Sequence, residues 1–192
     1  DIPAEEVYQK SLGYAEFFAD VKQFSHNRHR AKDKIRVGYI SGDFCEHVMQ
    51  YFVWPFLAGF DSSQFEVYVY NLGKHDQYSS FFQSLVTQWR DLSDHGRDME
   101  SVARAVYADE IDILFDLAGH TADSGLPALA WKPAPVQLSG LGYMATTGLP
   151  AVDYFVTDRY CDPPGSEHVY VEKLLRLTSQ FCYNGYTHLP AS

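Results

Sequence analysis

Short apolar runs alternate with amphipathic stretches along most of this chain. Residues 35–41 (IRVGYIS), 65–72 (FEVYVYNL), 88–92, 111–117 (IDILFDL), 136–141 and 153–157 (DYFVT) are rich in β-branched and aromatic side chains. They read as strands, and the most continuous of them as buried ones. Between them lie helical segments. Residues 49–60 are apolar and aromatic, with Pro55 starting a turn or bending the helix. Residues 79–86 and 126–131 predict short helices. Residues 98–107 carry Met99, Val102, Ala103 and Val106 on one helical face. Upstream, Val7, Tyr14, Phe18 and Val21 recur at threes, fours or their sums, which predicts one amphipathic helix over about residues 3–25.

Strands alternating with helices predict an α/β fold, a Rossmann-like doubly wound parallel sheet with right-handed crossovers. Residues 1–33 read as a helix and a basic linker (HNRHRAKDK, 26–34), and residues 34–192 as the main lobe. The last convincing strand ends near Thr157. Beyond Asp158 the sequence predicts irregular structure, with a rigid turn at CDPPG (161–165) and an irregular C-terminal tail.

Parallel sheets place their chemistry in loops at the carboxyl ends of strands, so three such loops matter. The first, SGDFCEH (41–47), puts Asp43 and Glu46 beside His47. An imidazole titrates near neutral pH and carboxylates tune it, which suits proton transfer. A solvent-exposed loop histidine and a turn-forming aspartate fit the same pattern. The second loop follows IDILFDL and carries Gly119, His120 and Thr121. Asp116 is the one acid in the apolar part of that run facing the loop, and a buried carboxylate requires hydrogen-bond partners. It suits holding the loop through backbone amides or direct catalysis. The third, GLGYMATTG (140–148), permits close backbone approach to a ligand or serves as a flexible connection. It is neither GxGxxG nor a Walker A loop. No HxH, HExxH or GxSxG spacing occurs, so neither a metal site nor a serine hydrolase is expected.

Composition narrows this further. A formal charge of −10 argues against nonspecific nucleic-acid binding. With 46% hydrophobic and 21% charged residues, the chain has the make-up of a globular protein. No apolar run approaches the roughly 20 residues of a membrane helix. The three cysteines, Cys45, Cys161 and Cys182, are widely spaced, which points to reduced thiols in a cytoplasmic setting. The chain opens on Asp1 and not on methionine, which fits a piece of a longer protein.

Several strings taken in order and spacing, RVGYISGDFCEHV (36–48), FEVYVYNL, IDILFDLAGHT (111–121), KPAPVQLSGLGYMATTGLPAVDYFVTD (132–158), DPPG and EKLLRL (172–177), carry a resemblance. Over roughly residues 34–183 the chain resembles the catalytic region of protein O-glycosyltransferases of the O-GlcNAc transferase and SPINDLY type, including their bacterial tetratricopeptide-repeat relatives. The resemblance implies the amino-terminal lobe of a two-lobed GT-B glycosyltransferase. Such enzymes pass a sugar from a nucleotide donor, UDP-GlcNAc or GDP-fucose, to a Ser or Thr hydroxyl of a protein or peptide, with inversion and without an obligatory metal or cofactor. The resemblance gives His47 the catalytic role. It places Gly119, His120, Thr121, Leu141, Gly142 and Tyr143 around acceptor and donor sugar, and Asp43, beside His47, is expected to join them in binding substrate. It further implies a C-terminal catalytic lobe and tetratricopeptide repeats as partners within a longer protein, and an isolated lobe that is folded but inactive. Two positions depart from the family pattern, Val48 where a proline is usual and Met144 where GYP is usual. A non-catalytic peptide- or partner-binding module of the same fold is the alternative reading.

Overall fold

The computed structural model describes residues 2–26, 33–95 and 98–180. Seven strands form one sheet: β1 (Ile35–Ser41), β2 (Phe65–Asn71), β3 (Gln88–Asp91), β4 (Ile113–Asp116), β5 (Val136–Gly140), β6 (Tyr154–Asp158) and β7 (Lys173–Leu177). Their order is β3-β2-β1-β4-β5-β6-β7, and every neighbouring pair is parallel. The chain winds outward in one direction from β1 to β3, then returns to β4 on the other side of β1. That reversal opens a crevice at the carboxyl ends of β1 and β4.

The period-two alternation of the strands sorts their side chains onto two covered faces. Tyr39, Val67, Val69 and Phe115 face α2 (Gln50–Ala58) and α3 (Gln77–Gln83) in one cluster with Val53, Leu57 and Phe82. Ile40, Tyr70 and Leu114 face α4 (Met99–Ala108) and the short 3-10 helix Leu126–Trp131, in a second cluster with Val102, Val106 and Leu129. Leu57, Leu114 and Leu129 are fully buried, and each contributes about 1.5–3 kcal/mol of transfer free energy. Local chemistry sets the helix starts. Asp76 accepts from the backbone N–H groups of Tyr78 and Ser79 in a capping box, and Asp98 accepts from that of Ser101. Pro55 lies inside α2 without ending it.

Two expectations are corrected. The amino-terminal segment is not one helix to residue 25. An α-helix, α1 (Ala4–Leu12), gives way at Gly13 to a 3-10 helix, Gly13–Phe18. Glycine is a weak helix former, and the tighter winding turns Tyr14 and Phe18 onto the core cluster beside Trp131. The segment is docked on the lobe, with the Phe24 amide donating to the Trp131 carbonyl at 2.8 Å. The second correction is β7, which lies in the region read as irregular. Its LLRL pattern is only half-buried on alternate residues, so a strand at the sheet edge leaves little hydrophobic signal. Pairing with β6 defines it. Cys182, most of the basic linker and the tail beyond Gln180 lie outside the described residues.

Candidate functional site

Glycines let the loops at the crevice close on one another. A Cβ on Gly42 would stand 2.6 Å from the Asp123 Cβ, and one on Gly73 would stand 2.0 Å from the Gly42 carbonyl oxygen. The loop after β1 is thus wedged between the loops that follow β2 and β4. Both neighbours constrain it before any ligand arrives.

His47 is the exposed tip of that loop, and Asp43 lies one turn behind it. The His47 Nδ1 stands 3.6 Å from Asp43 Oδ1, and the Met49 backbone N–H donates to the same nitrogen at 3.3 Å. Nδ1 therefore has two competing partners. It accepts from Met49 in one tautomer and donates to Asp43 in the other. Burial raises the Asp43 pKa. The facing His47 and the Ser41 hydroxyl counter this, while the Asp123 charge adds to it. Val48 is exposed beside this pair.

Asp116 is fully buried at the end of β4. It accepts from the Gly119 N–H at 2.9 Å, the Ala118 N–H at 3.3 Å and the Ser139 hydroxyl at 2.7 Å. Burial pushes its pKa up to about 6, against the pull of those three donors, and the Asp43 charge raises it further. Of the two roles open to Asp116, the geometry shows the loop-holding one.

The loops after β4 and β5 form the other wall. Gly119 has φ +57°, and a Cβ there would stand 2.5 Å from the Tyr143 Cβ; a Cβ on Gly142 would stand 2.2 Å from the Leu117 carbonyl oxygen. The two loops interlock at these glycines. Leu141, with φ 70°, is the centre of a tight turn closed by the Gly142 N–H on the Gly140 carbonyl at 3.0 Å. A bulky residue held at positive φ is strained, and such strain persists only where packing over-determines it. Thr121 donates its hydroxyl to the Ala118 carbonyl at 2.9 Å.

His120 hydrogen-bonds through Nε2 to the Thr147 carbonyl at 2.8 Å, and its ring stands edge-on to Tyr143 and Tyr14. A hollow of about 870 Å³ opens beside it, lined by Tyr14, Phe18, Asp123 and Trp131 among others. The GLGYMATTG segment is not a flexible connection. Thr146 and Thr147 are buried, and Glu172 accepts hydrogen bonds from both hydroxyls and from the Thr147 amide.

The structure thus joins His120 to Tyr143 across the two interlocked loops, and Asp43 to His47 within the first loop. Among the described residues no hydrogen bond or ring contact joins His47 to His120. Sequence reasoning missed Tyr14, Asp123, Ser139 and Glu172 as parts of this constellation. Glu172 opens the EKLLRL string, but nothing in that string announces three donors waiting 25 residues upstream. Among the described residues no group of three or more His, Cys, Asp or Glu side chains is arranged around a metal position. None of the described helices is long and apolar enough to cross a membrane.

The profile of glycosyl transferase family 41 matches residues 17–189. A rice (Oryza sativa subsp. japonica) protein named as a probable UDP-N-acetylglucosamine–peptide N-acetylglucosaminyltransferase SPINDLY is 41% identical over 154 residues, covering 77% of this chain and 16% of the relative. The Arabidopsis thaliana protein named as the corresponding SEC transferase is 32% identical over 155 residues, 80% of this chain and 16% of its own length. A solved point mutant of the Thermobaculum terrenum O-GlcNAc transferase superposes with a TM-score of 0.80 at 33% identity, covering 92% of this chain and 34% of that one. The chain therefore spans about a sixth of these curated relatives and about a third of the solved one.

Proposed function

Because the chain belongs to glycosyl transferase family 41, we propose that it is the amino-terminal catalytic lobe of an inverting, nucleotide-sugar-dependent protein O-glycosyltransferase acting on Ser or Thr. The observation that carries this reading is the crevice between β1 and β4, where the Asp43–His47 loop faces the loop of His120. Open parallel sheets bind their ligands at such a reversal of strand order.

In this reading the acceptor hydroxyl approaches His47. Its oxygen forms the new bond to the anomeric carbon as the bond from that carbon to the diphosphate breaks, and Nε2 takes the proton. Nδ1 then holds its own proton toward Asp43, whose charge stabilises the imidazolium that forms. The GHT loop (Gly119, His120, Thr121) and Leu141, Gly142 and Tyr143 border the sugar, held in place by the glycine interlock and by Asp116. Positioning of this kind supplies much of the acceleration in transfer reactions. The donor is UDP-GlcNAc or GDP-fucose. A C-terminal lobe of the longer protein binds the nucleotide, and tetratricopeptide repeats preceding residue 1 present the acceptor.

The test is transfer of radiolabelled sugar to a Ser/Thr peptide by the longer protein, with each donor in turn, beside the 192-residue chain alone. Transfer by the longer protein, lost on His47→Ala, with none from the isolated chain, is the expected result. Transfer at the wild-type rate by His47→Ala overturns the role of His47. Transfer by the chain alone overturns the claim that it needs its partner lobe.

A further inference from the structure

Glu172 is buried, lies outside the walls of the crevice, and is unused by the reaction above. Its carboxyl group meets three donors: the Thr146 hydroxyl at 2.7 Å, the Thr147 amide at 2.8 Å and the Thr147 hydroxyl. Both hydroxyls are turned to the carboxylate, which can only accept. Thr146 Oγ1 already accepts the N–H groups of Val171 at 3.1 Å and Gly148 at 3.2 Å, and Thr147 Oγ1 accepts that of Leu149 at 3.1 Å. Their protons therefore point to Glu172, and the pocket is built for a group that only accepts. An amide in its place would aim an NH₂ either at the Thr146 hydroxyl, whose lone pairs are already used, or at the Thr147 N–H, donor against donor.

The same threonine that Glu172 holds by its amide and hydroxyl offers its carbonyl to His120 Nε2 at 2.8 Å. A carbonyl oxygen only accepts, so Nε2 carries the proton, and in the neutral ring Nδ1 is left as the lone pair. Tyr14 and Tyr143 pack edge-on against the ring, with centroids 4.7 and 5.3 Å away, and restrict its swing. The ring's tautomer depends on where the Thr147 carbonyl points, and the Gly148 N–H of that same peptide is held by Thr146 Oγ1, whose own proton goes to Glu172.

We propose that Glu172 is a positioning residue. Through Thr147 it holds His120 as the Nε2–H tautomer, so that Nδ1 accepts a hydroxyl of the sugar or of the acceptor in the crevice. Only the identity of that hydroxyl rests on the transferase reading; the tautomer does not.

The experiment separates the two. Long-range ¹H–¹⁵N spectra of the ¹⁵N-histidine-labelled chain report which nitrogen of His120 carries the proton. The wild type is expected to show a protonated Nε2 and a bare Nδ1. Glu172→Gln is expected to mix the tautomers, and Glu172→Asp to restore most of the wild-type signature. Thr146→Val, which removes one of the three donors, gives the same reading in weaker form should Glu172→Gln fail to fold. A wild-type ring protonated on Nδ1, or a folded Glu172→Gln with an unchanged signature, overturns the proposal. In the longer protein, Glu172→Gln should lower kcat about tenfold or more while the donor KM moves less than twofold. An unchanged kcat overturns the functional half of the proposal. A longer protein whose wild type transfers no sugar overturns the transferase reading and leaves the spectra to decide the role of Glu172.

Discussion

The ring of His120 stands edge-on to that of Tyr14, with centroids 4.7 Å apart and planes 80° to one another. Tyr14 belongs to the 3-10 helix that precedes the sheet, and His120 to the loop after β4. A contact separated by over a hundred residues thus ties the amino-terminal segment to one wall of the crevice. Tyr14 also packs on Phe18, which reaches Trp131, so a single row of rings runs from the segment into the core.

That row makes Tyr14→Ala destabilising by about 1–3 kcal/mol, of which the aromatic contacts carry about 0.5–1.5 kcal/mol. Tyr14→Phe should stay within about 0.5 kcal/mol, because the phenol makes no hydrogen bond among the described residues. Burial and the Asp116 charge push its pKa up to about 12, so it is neutral at any physiological pH. Urea unfolding of the three proteins checks this order. Equal loss for Phe and Ala would show that the hydroxyl, and not the ring, makes the contact.

Asp116 predicts a pH dependence of stability. Its folded pKa of about 6 lies above the ordinary 3.8, so between those values the folded state binds the proton more tightly than the unfolded one. Its contribution is fully present below about pH 4 and is lost as pH rises through about 6. The shift corresponds to about 3 kcal/mol. Asp116→Asn removes the ionisation, and the fall in stability between pH 4 and 6.5 should flatten in that variant. Denaturation midpoints at stepped pH decide it: parallel wild-type and variant curves would assign the dependence to other groups.

The alternation of strands and helices was legible because the central strands are covered on both faces, α2 is apolar along almost its whole length and α4 keeps an apolar stripe. What escaped detection was structure held by long-range partners. β7 is half-buried and defined by its register with β6. The amino-terminal helix kept its apolar spacing past Gly13, although the backbone tightened there. Likewise, His47, His120 and the glycines announced themselves by residue type and place after a strand. Glu172 and Tyr14 did not, since a carboxylate or an aromatic ring shows its use only through the partners that the fold delivers. The GLGYMATTG glycines read as slack or as close approach to a ligand; a Cβ at Gly142 or Gly148 would meet the Leu117 or Ser11 carbonyl, so what they permit is close approach of neighbouring backbone.

The interlock of the loops after β4 and β5 makes Gly119→Ala and Gly142→Ala costly for different reasons. At Gly119 the new Cβ meets the Tyr143 Cβ and the backbone has φ +57°, so steric and conformational strain add. At Gly142 it meets the Leu117 carbonyl, a backbone atom at the end of β4 that has little room to move. Each should cost about 1–3 kcal/mol, and Gly119→Ala should also disturb the His120 ring. Thermal unfolding measures the first effect and histidine proton shifts the second. A Gly119→Ala protein as stable as wild type would show that the two loops are not locked together.

Asp43 tests which partner of His47 Nδ1 matters to the reaction. With Met49 N–H donating at 3.3 Å, the neutral ring carries its proton on Nε2 and has no lone pair there to receive one from an acceptor. General-base work needs the other tautomer, with Nδ1–H directed to the Asp43 carboxylate, now 3.6 Å away. Closing that gap to hydrogen-bond reach is a shift of about 0.4–0.8 Å in an exposed side chain, and catalytic hydrogen bonds that are long without ligand tighten when it binds. Asp43→Asn keeps the shape and removes the charge that favours this tautomer and stabilises the imidazolium. In the longer protein it should lower kcat by about 10²-fold, while the donor KM changes little and the fold is retained. His47→Ala should lower kcat by about 10²–10⁴-fold, and in the proposed reaction, where Asp43 works through the ring, the double variant should be no worse than His47→Ala alone. A double variant additive in both losses would place Asp43 on the substrate directly. An unchanged Asp43→Asn would leave Met49 as the working partner of Nδ1 and remove His47 from proton transfer.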